Sequence, residues 1–66
     1  MNNLEQLKTH CTELLKKYPK LREDINMLYW YCVSEVEAGE SLQNEIDLCL
    51  RDLDQLIESY EENNNS

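Results

Sequence analysis

Six apolar residues, Leu42, Ile46, Cys49, Leu53, Leu56 and Tyr60, follow one another at spacings of 4, 3, 4, 3 and 4. An α-helix turns once in about 3.6 residues, so this spacing holds all six on one stripe, whereas a strand would scatter them over both faces. Leu50 and Ile57 widen one flank of the stripe. A helix with such a seam must bury it against other elements, and only about forty residues precede it to supply them.

The preceding residues carry the same period. Leu4, Leu7, Cys11, Leu14 and Tyr18 lie 3, 4, 3 and 4 apart, with Leu15 beside them. They predict a first helix, capped by Asn2 or Asn3. Pro19 then interrupts the run, because it drives the residue before it out of the helical region while its own fixed φ suits a first helical turn. A second stripe follows on Leu21, Ile25, Leu28, Cys32 and Val36, with Glu23 and Asp24 in the first turn, where the helix dipole favours negative charge. Gly39, the sole glycine, is placed to close that helix in a left-handed conformation, and Ser41 is a good N-cap for the third. The predicted helices span roughly 3–17, 20–38 and 41–62, with a frayed polar tail at 63–66.

One glycine and one proline, Pro19, are too few to close the hairpins of a β fold. The expectation is a single all-α domain over residues 1–66. Connections of a few residues make each helix reverse on its predecessor, which gives an up-down-up three-helix bundle. The competing arrangement dimerises the hairpin of the second and third helices into a four-helix core. Folding about Gly39 sets Cys32 near Ile46 and Cys49, Leu28 near Leu50 and Leu53, and Leu21 near Ile57 and Tyr60. A chain of 66 residues buries too little surface to be more than marginally stable by itself.

Charge restricts the partners. Five bases and two acids up to Arg22 give +3, and twelve acids with one base, Arg51, give −11 from Glu23 onward, −8 in all. That field repels phosphate backbones, so direct nucleic-acid or anionic-membrane binding is not expected, whereas a basic protein surface is attracted. No stretch has the apolar length to span a bilayer and the N-terminus lacks the layout of a secretion signal, so a cytoplasmic location is expected. Three cysteines, an odd number, then read as reduced thiols.

The run Met27-Leu28-Tyr29-Trp30-Tyr31-Cys32-Val33 is apolar or aromatic throughout, more than a helix facing one core can use. Met27 and Trp30 each fall about 150° from the centre of the stripe, and Tyr31 lies on its side. Either another segment covers them, or they are an exposed contact surface, which is the expected role of Met27, Trp30 and Tyr31. Leu48 is a second off-stripe residue, about 135° from the third seam. The outer acids Glu35, Glu37, Glu40, Glu45, Asp47, Asp52, Asp54, Glu58, Glu61 and Glu62 read first as a solvated face. With almost no interleaved base, they also suit imitation of a phosphate strand toward a basic groove.

No chemistry is expected. Cys11, Cys32 and Cys49 each sit on the apolar stripe of a different helix, and no close pair such as C-x2-C marks a zinc site. The lone His10 has no nucleophile at helical spacing. No phosphate loop is possible with a single glycine. The sequence therefore predicts a non-enzyme without cofactor or metal: a protein-binding module, an acidic inhibitor or modulator of a basic or nucleic-acid-handling partner, or alternatively a structural unit that homodimerises through the same aromatic face.

Overall fold

The computed structural model describes residues 3–64. Its helices are α1 (Leu4–Lys17), α2 (Arg22–Glu37) and α3 (Leu42–Asn64), with a 3-10 turn at Pro19–Leu21 before α2. The all-α expectation holds. The bundle is elongated, 41 × 18 × 17 Å, with α3 as its longest member at 23 residues.

Local chemistry explains the helix ends. The Asn3 side chain accepts the Gln6 N–H at 2.8 Å, satisfying one of the donors that the first turn of α1 leaves without a helical partner. Asn2, the alternative cap, and Asn65 and Ser66 of the tail lie outside the described residues. At Tyr18 the chain leaves helical geometry, and Pro19 opens the 3-10 turn in place of a first turn of α helix. The second α-helix therefore starts at Arg22, two residues later than the periodicity suggested. At the other end α3 runs on through Asn63 and Asn64, which were expected to fray; polar residues can prolong a helix already nucleated by a packed stripe.

Gly39 closes α2. Its φ is +103°, its N–H bonds the Val36 carbonyl at 3.1 Å, and the next N–H, of Glu40, bonds the Glu35 carbonyl at 3.1 Å. These two bonds satisfy carbonyls that the last turn exposes, and they need a residue that adopts positive φ without strain. A Cβ at Gly39 would meet nothing within 4 Å, so the cost of substitution comes from the backbone alone. Gly39→Ala is expected to lower stability by about 1 kcal/mol, read from the urea midpoint at unchanged slope. An unshifted midpoint would show that the turn tolerates another conformation.

Leu7, Cys11 and Leu14 of α1, Leu21, Ile25 and Cys32, and Ile46, Cys49 and Leu53 of α3 form the buried core among the described residues. Every one belongs to a stripe read from the sequence. The stripes of α1 and α3 open toward their ends, where Leu4, Leu56, Ile57 and Tyr60 are half-buried and Leu42 is 37% exposed; on α2 the mid-stripe Leu28 is half-buried at the border of a cleft. Leu42 stands in the first turn of α3, directly after the interhelical turn, where the seam has no following layer to cover it. The expected neighbours Cys32 and Cys49 do meet, and the Cys49 thiol donates to the Leu28 carbonyl at 3.6 Å.

One long-range clamp ties the chain ends of two helices. Tyr18, just past α1, sets its ring edge-on to Tyr60 with centroids 5.9 Å apart, and its hydroxyl donates to Glu61 Oε1 at 2.9 Å. Glu61, expected as one of the outer acids, thus has a structural contact.

Candidate protein-docking surface

α2 is apolar on two opposite sides. Ile25 and Cys32 point into the core and are essentially inaccessible, while Met27 is 68%, Trp30 60% and Tyr31 62% exposed. Trp30 and Tyr31 follow Met27 by three and four residues, one helical turn on, so both neighbour Met27 on the outer surface of α2 and the three form one strip. No other segment of the described chain covers it.

Each flank of the strip slopes into a furrow. On the α1 side, Trp30 and Tyr29 border a depression of about 190 Å³ with Lys8, Cys11, Thr12, Leu15 and Asn26. The Tyr29 and Trp30 rings meet edge-on at 5.1 Å, which braces the indole against a half-buried neighbour. On the α3 side, Tyr31 faces Leu48 across a cleft of about 250 Å³ lined also by Leu28, Cys32, Glu45, Cys49 and Asp52. Leu48 is 49% exposed, so both of its outer apolar walls remain half open to water.

The predicted acids separate into groups. Glu45 and Asp52 line the cleft, and Glu35 sits beside Tyr31. The Tyr31 hydroxyl is pushed above its ordinary pKa of 10.0, first by the negative charge of Glu35, which also hydrogen-bonds it, and further by Glu45 and Asp52. Carboxylates from α2 and α3 therefore converge on one phenol. Asp47, Asp54 and Glu58 occupy the outward flank of α3, exposed, with Asp47 accepting from Gln43 Nε2 at 2.9 Å. Glu37 is exposed in the last turn of α2. The grouping was not foreseen, although the spacing 45, 48, 52 already placed two acids around Leu48 on one side of a helix.

Cys11, Cys32 and Cys49 converge in the core as free thiols. Burial, and secondarily the nearby Cys32, pushes Cys11 from its ordinary 9.0 up to about 11. Burial, then Cys11, Cys32 and Asp52, pushes Cys49 up to about 12. Cys32 is raised by burial and by Glu45. A thiol held protonated is a poor nucleophile and a poor metal ligand. Among the described residues no group of three or more His, Cys, Asp or Glu side chains is placed to hold a metal ion.

These shifts set a pH window for stability. The unfolded chain releases the thiol protons near pH 9, while the fold keeps them until about 11 for Cys11 and about 12 for Cys49. Over that interval the native state binds more protons, so stability is complete below pH 9 and falls as the pH rises through the window. The urea midpoint is expected to drop between about pH 8 and about pH 10.5. A flat profile would mean that the thiols are less buried than they stand here.

No helix among the described residues is long and apolar enough to cross a membrane. No family model matches the chain, and neither a curated protein nor a solved structure matches it.

Proposed function

We propose that the chain is a non-catalytic protein-binding module, an acidic inhibitor or modulator of a basic or nucleic-acid-handling protein. The observation that carries this reading is the outward strip of Met27, Trp30 and Tyr31, each at least 60% exposed on one face of α2. Exposed aromatic side chains in a contiguous patch are costly in water and are the usual anchors of interfaces. The acids of α2 and α3 steer a basic partner toward the strip and set its orientation. An excess of carboxylates also competes for the groove in which such a partner would hold a phosphate strand.

The helices run up-down-up in this reading; the contact of Tyr18, after α1, with Tyr60 near the end of α3 supports it, since it brings two C-terminal ends together. The free, buried thiols suit a reducing cytoplasm. The purified chain, immobilised and exposed to a lysate of its native host, should retain a basic protein identifiable by mass spectrometry. That complex should weaken as salt shortens the Debye length from about 10 Å at 0.1 M to about 3 Å at 1 M. Binding indifferent to salt, or a partner that still holds its nucleic acid in the complex, would overturn the inhibitor reading.

The alternative is a homodimer seam on the same strip. Molar mass from light scattering separates the two: a mass that doubles with concentration and reverts on substitution of Met27 supports self-assembly.

A further inference from the structure

The cleft between α2 and α3 has a more specific geometry than the strip beside it. Its walls are Leu28, Tyr31 and Leu48, with Cys32 and Cys49 deeper, and its polar members are Glu45 and Asp52. At about 250 Å³ it is below the usual range of about 300–1,000 Å³ for small-molecule sites, a size that suits one or two inserted side chains. No base lines it. Arg51, the single base after Arg22, lies on the outward flank of α3 with Asp47, Asp54 and Glu58, so the charges at the cleft mouth are uncompensated from within.

Charge also chooses between occupants. A second copy would bring another −8. Its α2 carries Glu23 and Asp24 beside the single base Arg22 at one end and Glu35 and Glu37 at the other, so a symmetric antiparallel seam would set acids against a net-acidic end. A nucleic-acid strand is repelled for the same reason. A segment with apolar and positive side chains matches both the walls and the rim.

We propose that this cleft seats a cationic amphipathic helix of a partner protein. One apolar side chain of that helix enters between Tyr31 and Leu48, and two lysines or arginines seven residues apart reach Glu45 and Asp52. The spacing follows from α3 itself, where those acids stand seven residues and two turns apart, about 10 Å along the axis, with Leu48 between them. This assignment rests on the docking reading above and names the partner's chemistry.

The test uses two synthetic helical peptides of equal composition. In one, a leucine lies between lysines seven residues apart; in the other the lysines are moved off the leucine face. Titrated into isotope-labelled protein and followed by amide NMR, the first is expected to perturb Tyr31, Leu48 and Asp52 and to bind about tenfold tighter than the second. The double variant Glu45→Lys with Asp52→Lys should abolish that preference with its helical spectrum unchanged. Glu45→Gln with Asp52→Asn repeats the test with isosteric side chains should the charge reversal disturb folding. Equal affinities, perturbations spread along the outer acids, or a preference that survives both double variants would overturn the cleft assignment. If the partner captured from the host loses binding with Trp30→Ala but not with the cleft variants, the cleft fails and the docking reading stands; if it is insensitive to Trp30→Ala as well, the docking reading itself fails.

Discussion

Replacing Leu53 with alanine is expected to remove about 2–5 kcal/mol of stability, enough to leave much of the population unfolded. Leu53 is 0% exposed and belongs, among the described residues, to a core of nine buried side chains drawn from all three α-helices and the 3-10 turn. A folded chain of 66 residues has only about 3–10 kcal/mol in total by the usual per-residue range. Truncation loses the transfer free energy of the deleted carbons and leaves a cavity that helices held on several sides cannot readily close. In a melt followed by circular dichroism, each kcal/mol lowers Tm by roughly 4–8 °C for a chain this size, so the shift should be at least about 8 °C. Leu48→Ala is the control, expected within about 0.5 kcal/mol because its side chain is half exposed. Similar losses at both positions would mean that α3 does not pack on the seam described.

Spacing marks Leu53 and Leu28 equally as core, and only Leu53 is sealed; Leu28 is half-buried. Periodicity reports which face of a helix turns inward; it does not report how far neighbouring helices extend to cover that face. Leu28 sits at the border of a cleft and Leu42 at an open end, so both keep exposure that spacing could not reveal. The close of α2 was legible because Gly39 has a single conformational advantage, and the structure uses it. Its start was less legible, since proline permits either a first α turn or a tighter one and tertiary packing decides. The Tyr18–Tyr60–Glu61 clamp joins residues more than forty positions apart and has no local signature.

The contact surface divided in the same way. An all-apolar run longer than one stripe can absorb was visible at 27–33, and its surplus members stand outside the core. How they are arranged was not visible. Trp30 leans to the α1 side and Tyr31 to the α3 side, and the acids that matter to each depend on which helix lies across the furrow. Composition alone treats the carboxylates as one face, while packing divides them between a cleft and an outer flank.

Trp30→Ala is expected to weaken partner binding by about thirtyfold or more, corresponding to the 2 kcal/mol or greater loss typical of a central aromatic anchor. The same change should leave the fold nearly intact, because the indole is 60% exposed and rests only along one edge against the α1 furrow. Those two outcomes are separable in one preparation: the urea midpoint reads the fold, and calorimetric titration with the captured partner reads the interface. Tyr31→Phe distinguishes apolar contact from the hydroxyl held by Glu35, and should cost far less than the loss of the indole. A large fall in stability with Trp30→Ala would place the indole among the core residues. Unchanged affinity in a stably folded variant would move the interface off α2. Only a loss of binding with the fold retained agrees with a helix whose apolar circumference exceeds what its own bundle can cover.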